Sequence, residues 1–391
     1  MDIQNIFHGL MGMVQGKKYL RRVEQELMLC FNVKHVFLVS SGKAALTVIL
    51  KALKSLSPDK DEVLIPAYTC FSVPSAIVKA GLKVSLCDVS PSTLDFDYEL
   101  LERTINERTL CVVPDHLFGV PADMDRITAL CRKKGIYVVE DAAQAMGGSY
   151  RGKWLGTLGD VGFFSLGRGK NVTCGSGGII ITNSDSLAMR IGSEYQRLHG
   201  LSPVEILKEL LTVVFLGLFI RPSLYWFPAG LPFLGLGETI FYRDFPVKRL
   251  SGLQAGLLDN WRLRLSESNE ARRRSARWFI GALHLEERDD DIPYLRLPIM
   301  APNAEEKKRM LSSSRRKSLG ISAMYPTPIH EIEELRTQFR GASFPAAKEV
   351  SQRLLTIPTH QLLTQRDRDR IAALKLGPTR LCATQTRAPV I

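Results

Sequence analysis

Short apolar segments alternate with helix-length segments between residues 36 and 182, and this alternation limits the possible folds more than any other feature. The segments with strand character are 36–39, 63–65, 84–87, 110–113, 136–139, 161–164 and 179–181. Helical patterns at 44–54, 72–80 and 124–134 separate several of them. Strands that alternate with helices form βαβ units, whose parallel strands are covered on both faces. The sequence therefore predicts an α/β fold with a seven-stranded, mostly parallel sheet.

The pattern changes after about residue 245, where a smaller region begins. A long charged amphipathic helix is predicted from Leu250 to Trp278, and mixed helices and strands follow it to about Lys375. We therefore predict a smaller C-terminal α+β domain. The predicted limits are a large domain at 1–245 with an apolar insert at about 204–242, the small domain at 246–380, and a tail at 381–391.

Composition and charge narrow the class of protein further. The chain has 391 residues, of which 45% are hydrophobic and 24% are charged, and this globular composition excludes a disordered or fibrous protein. Lys and Arg number 52 against 40 Asp and Glu, and the net charge of +12 favours an anionic ligand. The basic clusters are not interleaved with aromatic residues, so we predict no nucleic-acid partner.

The cysteines and the apolar runs indicate where the protein resides. The seven cysteines are scattered and never spaced as C-x-x-C, so we predict neither a disulfide framework nor a metal site. Free cysteines are typical of a reducing compartment. The N-terminal residues lack the pattern of a cleavable signal peptide, and no apolar run is long enough to cross a bilayer. We therefore expect a cytoplasmic protein.

Two polar residues stand where ligands bind in α/β folds, just beyond the carboxyl ends of strands. Asp141 follows the fifth predicted strand, and Lys170 lies in a glycine-rich loop between the sixth and the seventh. The loop is not a P-loop, because Phe164 and Asn171 occupy positions that require Gly and Ser or Thr. Its Gly-Arg-Gly sequence also lacks the third glycine of a dinucleotide-binding motif.

An aspartate and a lysine in these positions suit pyridoxal 5'-phosphate (PLP). This cofactor forms a Schiff base with a lysine, and a carboxylate keeps its pyridine nitrogen protonated so that the ring can accept electrons. Its phosphate binds to backbone N–H groups at the start of a helix. Residues 40–46 supply a glycine turn at a helix start, and Ser165 supplies a hydroxyl. The sequence thus predicts a PLP site.

Several short motifs occur in an order and spacing typical of one enzyme family. They are Ser41-Gly42 before Ala45-Leu46, Pro66 to Thr69, Asp115 to Gly119, Glu140 to Gln144, Phe164-Ser165 with Lys170-Asn171, Arg249 to Ala255, Tyr325 to His330, and Leu355 to Pro358. From about Lys17 to Lys375 the chain resembles the DegT/DnrJ/EryC1/StrS sugar aminotransferases. The resemblance implies a fold-type I PLP transferase that works as a homodimer.

The resemblance also implies roles for single residues. Lys170 would form the Schiff base with PLP and transfer the protons of the reaction. Asp141 would pair with the pyridine nitrogen, and Gln144 would lie against the ring near its phenolic oxygen. His116 would lie near the cofactor.

Three of the residues expected to contact the phosphate or the ring of PLP differ from those usual in the family. Ser165 and the turn at Gly42 and Lys43 would hold the phosphate, but the family usually has a threonine where Lys43 stands. Cys70 occupies the position of the aromatic residue that commonly stacks on the ring. Val247 replaces the asparagine that reaches the partner subunit's phosphate, which puts that contact in doubt.

The reaction implied by the resemblance is transamination. An amino acid, glutamate in most of the family, would donate the amino group to a keto group of a nucleotide-linked sugar in glycan or polysaccharide biosynthesis. One branch of the family has a histidine in place of the lysine and dehydrates sugars, and Lys170 argues against it. Two alternatives stay open: a PLP enzyme for a lipid-linked or other hydrophobic keto substrate, and a non-catalytic regulatory protein with the same fold.

The insert at 204–242 is more apolar than expected for the family. Residues 210–220 are almost wholly apolar, and Tyr225 and Trp226 follow. One alternative is a buried helix and loop at the dimer interface. The other is an element that lies in the surface of an anionic bilayer as a peripheral membrane contact, because eleven apolar residues are too few to span it.

Overall fold

A computed structural model describes residues 3–219, 239–286, 291–374 and 379–382. The helices are α1 Ile3–Val14, α2 Gly16–Phe31, α3 Gly42–Leu56, α4 Ser72–Lys79, α5 Tyr98–Thr104, α6 Met124–Lys134, α7 Asp185–Gln196, α8 Pro203–Phe219, α9 Gly252–Leu257, α10 Trp261–Ala282, α11 Ala304–Arg316, α12 Pro345–Arg353 and α13 Gln365–Ala372. The strands are β1 His35–Val39, β2 Glu62–Pro66, β3 Lys83–Cys87, β4 Thr109–Val112, β5 Tyr137–Asp141, β6 Ser149–Tyr150, β7 Lys153–Trp154, β8 Val161–Ser165, β9 Gly178–Thr182, β10 Arg296–Met300, β11 Leu354–Pro358 and β12 Arg380–Leu381.

The seven strands predicted from the sequence form one sheet, in the order β1-β9-β8-β5-β4-β2-β3. The pairs among β3, β2, β4, β5 and β8 are parallel, whereas β9 pairs antiparallel with both β1 and β8. The prediction of a seven-stranded, mostly parallel sheet is confirmed. The carboxyl ends of β2, β4, β5 and β8 meet at one edge of this sheet.

Both faces of the sheet are buried, because consecutive residues of a strand point to opposite sides. Ile65 and Val139 pack into a core with α3, α4 and α7. Their neighbours Leu64 and Val138 pack into a second core with α2, α6 and α9. Such coverage on both sides is what a parallel sheet requires.

The start of α3 is fixed at the carboxyl edge of the sheet by a side-chain cap. The Ser41 hydroxyl accepts a hydrogen bond from the Ala44 N–H at 3.1 Å, which satisfies one of the free donors of the first turn. The chain leaves β1 at Val39 and enters α3 three residues later, so the first turn of α3 lies next to the strand ends.

The N-terminal helix α1 crosses α9 with the two backbones in contact. A Cβ atom on Gly12 would lie 2.1 Å from the Gly252 carbonyl oxygen, and one on Gly256 would lie 2.0 Å from the His8 carbonyl oxygen. Any side chain larger than hydrogen at these positions would push the helices apart. The glycines therefore determine how closely α1 packs on α9.

The prediction of a single helix from Leu250 to Trp278 is wrong. The structure has α9 and α10 instead, separated by residues 258–260. Asn260 adopts a left-handed conformation with φ 55°, which redirects the chain between them. The hydrophobic pattern continues across the break, and for this reason the sequence did not show it.

The smaller region is built on the antiparallel sheet β11-β10-β12. Its strands share a core of their own, which includes Ile299 and Ile357. The strand β12 and the buried Cys382 show that the folded chain runs into the predicted tail at 381–391, whose remaining residues lie outside the described ones. The domain limits stay a prediction, although Trp261 packs with the core of the large sheet.

The apolar insert is described only up to the end of α8 and again from residue 239. On α8, Val204, Leu207 and Leu211 are exposed, whereas Val213 is buried. The stretch with Tyr225 and Trp226 lies outside the described residues. Within the described ranges, no helix has both the length and the apolar character needed to cross a bilayer.

Candidate active site

Two buried carboxyl groups stand side by side at the carboxyl edge of the sheet. Asp141 is the last residue of β5, and Asp115 lies just beyond β4, where the two residues form a parallel β-bridge. Asp141 is 4% exposed and Asp115 is 7% exposed. Because paired residues of neighbouring strands point to the same side, both carboxyl groups face the same cleft.

The ammonium group of Lys170 lies close enough to Asp115 and Asp141 to affect the pKa of both. Burial raises the pKa of both aspartates, and the charge of Asp141 raises the pKa of Asp115 further. The Ala143 N–H, which donates to Asp141 Oδ1 at 3.0 Å, and the Lys170 ammonium both counteract the rise in the pKa of Asp141. The structure therefore brings together the two catalytic residues predicted from the sequence.

The loop that carries Lys170 comprises residues 166–177, and we call it the lysine loop. It is held in place by contacts with α10. Gly169 has φ 79°, a left-handed conformation that glycine adopts without a steric penalty. The Asn171 amide donates to Asn269 Oδ1 of α10 at 2.8 Å, and the Asn269 amide donates to the Met146 carbonyl at 2.9 Å. The lysine is half-buried and lies directly beside this anchor.

The predicted phosphate residues Gly42 and Ser165 are neighbours in space. A Cβ atom on Gly42 would lie 3.1 Å from Ser165 Cβ, so the glycine lets the first turn of α3 approach the end of β8. The first N–H groups of a helix have no partner within the helix, and they carry the positive end of its dipole. This corner of the cleft suits a phosphate group.

Lys43 and Cys70 also lie close together, beside the start of α3. Lys43 Nζ lies 4.4 Å from the ring centre of Tyr242 and 4.6 Å from that of Phe245, which are cation–π distances. Burial lowers the pKa of Lys43, and the nearby Cys70 thiol acts in the opposite direction. Cys70 is half-buried. Contacts of Lys43 with a phosphate and of Cys70 with a ring stay predictions.

Gln144 lies in the cleft through contacts with two aromatic residues. Its Oε1 accepts the Phe118 N–H at 3.2 Å, and its Nε2 donates to the Tyr325 hydroxyl at 2.9 Å. The centre of the buried Tyr325 ring lies 6.5 Å from that of Phe71 and 6.3 Å from that of Phe118, and the ring is nearly parallel to both. Tyr325 therefore joins the small region to the cleft.

His116 is fully buried behind Asp141, and both of its ring nitrogens are bonded within the protein. Its Nδ1 accepts the Ala122 N–H at 3.1 Å, so Nε2 carries the hydrogen and donates to Glu140 Oε1 at 2.8 Å. The imidazole nitrogens are thus committed to Glu140 and to the backbone. A role of His116 near the cofactor stays a prediction. Because both ring nitrogens are in use, such a role would have to act through the face of the imidazole ring or through Glu140.

These residues fit PLP as a group. A buried carboxylate, a loop lysine beside it and a glycine turn facing a hydroxyl are the contacts that the ring nitrogen, the aldehyde and the phosphate need. Asp115 Oδ1 is in addition a buried acceptor without a hydrogen-bond partner among the described residues. Such an atom is expected where a ligand completes the site.

A model of the DegT/DnrJ/EryC1/StrS aminotransferase family matches residues 9–213 and 253–374. The chain belongs to this family. The unmatched stretch between the two parts includes most of the apolar insert. All the site residues named above, apart from Tyr242 and Phe245, lie in the matched parts.

Two relatives show how the similarity is distributed. The chain is 28% identical over 354 residues to a pleiotropic regulatory protein of Geobacillus stearothermophilus, across 87% of this chain and 84% of that one. It is 35% identical over 168 residues to a GDP-perosamine synthase of Vibrio cholerae, across 43% of this chain and 45% of that one.

Solved structures of sugar aminotransferases share the fold. The aminotransferase PseC of Helicobacter pylori superposes with a TM-score of 0.78 at 18% identity, over 96% of both chains. DesV of S. venezuelae superposes with a TM-score of 0.73 at 22% identity, over 94% of this chain and 92% of that one. The fold-type I assignment is confirmed.

The sequence did not assign roles to two residues of this aminotransferase that the structure places in the cleft. Asp115 follows a predicted strand just as Asp141 does, so the strand-end rule was sufficient to find it. Tyr325 lies far along the chain in a Tyr-Pro motif, and no local pattern connects it with Gln144. Only the packing of the small region against the sheet brings the two together.

Proposed function

We propose that this chain is a PLP-dependent aminotransferase that moves an amino group from an amino acid, with glutamate as the expected donor, to a keto group of a nucleotide-linked sugar. The observation that carries the proposal is that Asp141 and Lys170 lie near each other at the same edge of the sheet as Gly42 and Ser165. The relative named GDP-perosamine synthase supports a nucleotide-sugar substrate. The net charge of +12 suits the phosphates of such a substrate.

Each of the predicted site residues would have a separate role in this reaction. Bound PLP would supply an electron sink for the substrate carbon. Asp141, as a buried anion, would keep the pyridine nitrogen protonated. Lys170 Nζ would hold the cofactor covalently until the amino group of the donor displaces it. The freed Lys170 amine would then accept the proton from the α-carbon of the donor and deliver it to the cofactor carbon on the other side of the donor nitrogen. Ser165 and the first turn of α3 would anchor the phosphate.

Reduction with borohydride tests the covalent link to the cofactor. After reduction of the PLP-loaded protein, peptide mapping should find the label on the peptide that contains Lys170, and Lys170→Arg should carry none. A label on Lys43, or no label on any lysine, would overturn the assignment. The Lys170→Arg variant also serves as the control for adventitious binding of PLP to surface lysines.

A non-catalytic regulatory role is the second candidate, because the relative that aligns over 87% of this chain is named a pleiotropic regulatory protein. Addition of glutamate to the PLP-loaded enzyme separates the two. An aminotransferase loses the visible absorption of the lysine-linked cofactor as pyridoxamine phosphate forms. A spectrum unchanged by every amino donor tried would favour the regulatory role.

The assembly and the location are further proposals: a cytoplasmic homodimer with a peripheral membrane contact through 204–242. The exposed Val204, Leu207 and Leu211 of α8 support such a contact. The other side of α8 touches the lysine loop, where the Ser176 hydroxyl donates to Glu209 at 3.1 Å. A surface contact of α8 would therefore lie next to the active site, as a lipid-linked or other hydrophobic keto substrate would require.

Flotation with anionic liposomes tests the membrane contact. Binding should decrease when Leu207 and Leu211 are both replaced by Ser, while the exposed Met189, replaced in the same way, serves as the control away from the insert. Flotation that these substitutions leave unchanged would end this proposal. Analytical ultracentrifugation of the same variants tests the alternative, since loss of the dimer on Leu207 and Leu211 substitution would place α8 at the subunit interface.

A further inference from the structure

Asp115 combines deep burial with an incomplete set of hydrogen bonds. Its Oδ2 accepts the Thr69 hydroxyl at 2.6 Å, whereas Oδ1 is buried and has no hydrogen-bond partner within the described part of the chain. A buried carboxylate with one unpaired oxygen is unfavourable unless the group is protonated or a ligand binds it. Asp115 therefore differs from the aspartates that cap helices or form surface ion pairs, because one of its carboxyl oxygens is buried without a hydrogen bond to any residue that the structure describes.

The neighbours of Asp115 decide which of the two aspartates holds a proton. The adjacent strand contributes Asp141, the lysine loop contributes Lys170, and His116 follows in the chain. Asp141 accepts a backbone N–H at 3.0 Å, which stabilises its anionic form, whereas Asp115 accepts only one hydroxyl. Two buried carboxyl groups on neighbouring strand ends disfavour each other's ionisation. The proton thus belongs on Asp115 and the negative charge on Asp141.

The position of Asp115 in the cleft indicates what its free oxygen meets. Burial raises the pKa of the Tyr325 hydroxyl, and Asp115 lies close to this hydroxyl. The same Tyr325 hydroxyl accepts from Gln144 at 2.9 Å. Asp115 and Gln144 therefore flank one side of the cleft, the side on which Gln144 is expected to face the phenolic edge of the ring.

We propose that Asp115 is a second carboxyl group of the cofactor cleft, one that stays protonated beside the Asp141 anion and directs its free Oδ1–H to the polar edge of the bound ring on the Gln144 side. This inference rests on the proposed PLP function. It assigns Asp115 two tasks: it leaves one negative charge under the ring instead of two, and it adds a hydrogen-bond donor on the same side as Gln144. Thr69 is its positioning residue, because the Thr69 hydroxyl fixes the orientation of the carboxyl group.

The first experiment uses the protein without cofactor, so that its outcome does not depend on the proposed function. Infrared difference spectra at neutral pH should show a protonated carboxyl band that disappears in Asp115→Asn. The band should persist in Asp88→Asn, a control whose buried carboxylate accepts three backbone N–H groups outside the cleft. Loss of the band in Asp141→Asn but not in Asp115→Asn would overturn the proposal.

The pH dependence of stability provides a second measurement on the same protein. Because folding raises the pKa of Asp115, the folded state retains a proton that the unfolded state loses above about pH 4. The stabilisation is present at low pH and is lost as the pH rises through the folded pKa. The midpoint temperature of wild type should therefore decrease more than that of Asp115→Asn between about pH 5 and about pH 9. Equal decreases would contradict a protonated Asp115.

The PLP-loaded protein tests the hydrogen bond itself. Asp115→Ala should weaken PLP binding and shift the pH midpoint of the visible absorption, whereas Asp115→Asn retains a donor and should lie near wild type in both. If Asn moves the midpoint as far as Ala, charge and not donation is the function of Asp115. If neither variant moves it, Asp115 does not reach the ring. Either result overturns the donor role, and neither affects the assignment of Lys170.

Discussion

The substitution Glu140→Gln should destabilise the protein far more than the change of one atom suggests. Each carboxylate oxygen of Glu140 accepts two hydrogen bonds. Oε1 takes the His116 ring N–H at 2.8 Å and the Gly156 N–H, and Oε2 takes the N–H groups of Leu158 and Gly159 at 2.7 and 3.0 Å. In either orientation, the glutamine amide places an NH2 group against two donors.

His116 cannot relieve this conflict by moving its hydrogen, because Nδ1 already accepts the Ala122 N–H. Two bonds to a buried charge are therefore lost, and at about 1.5–3 kcal/mol each they give a destabilisation of about 3–6 kcal/mol. The loop at 156–159 also loses the group that holds it. Since Asp141 is the next residue, the change should weaken PLP binding as well.

Urea unfolding of the cofactor-free protein, followed by tryptophan fluorescence, measures this effect as a shift in midpoint at similar slope. Glu62→Gln is the matched control. Glu62 accepts the Asn106 amide at 3.0 Å and lies near Arg108 at the surface, so its replacement should change stability by less than about 1 kcal/mol. A Glu140→Gln midpoint no lower than that of Glu62→Gln would refute the reasoning about the four donors.

Four further predictions concern the cleft, the contact of the N-terminal helix with α9, and the end of α10. Asp141→Asn should lower the rate of the glutamate half-reaction about 10²–10³-fold in stopped-flow absorbance; a rate within a factor of about 10 would remove Asp141 from the ring nitrogen. Lys43→Met keeps the aliphatic stem but loses the ammonium, and should weaken PLP binding at least about tenfold in equilibrium titration, whereas unchanged binding would place Nζ away from the phosphate. Gly256→Val would put a Cβ atom 2.0 Å from the His8 carbonyl oxygen, so thermal unfolding should show a loss of about 1–3 kcal/mol. Gly281→Ala meets nothing within 4 Å and should instead stabilise the protein by about 0.5–1 kcal/mol.

Most of the large domain could be predicted because its strands are short, apolar and separated by helices. The same pattern located the edge of the sheet, and Asp141 and Lys170 stand at that edge. The break at Asn260 was missed because the amphipathic pattern runs through it, and a single left-handed residue leaves no periodic signal. The packing of α1 on α9 depends on glycines far apart in the chain, which no local pattern connects.

The site was harder to predict than the fold, because the roles of its residues depend on contacts between distant segments. Gln144 was expected to face a ring, and its hydrogen bond to Tyr325 appears only when the small region packs against the sheet. The resemblance placed His116 near the cofactor, but the sequence does not show that Glu140 and Ala122 use both of its nitrogens. Lys43 was recognised as a departure, although its aromatic neighbours Tyr242 and Phe245 lie about 200 residues away, at the end of the insert and just beyond it.

The contact between α1 and α9 connects the N-terminal helix with the loop that carries Lys170. Gln254 of α9 donates to the Ser176 carbonyl and hydroxyl, both at 2.9 Å, and Ser176 belongs to the lysine loop. A fusion tag that disturbs α1 would thus alter the support of Lys170. Recombinant versions of this enzyme are best tagged away from α1, and a weak preparation should first be checked for an intact α1.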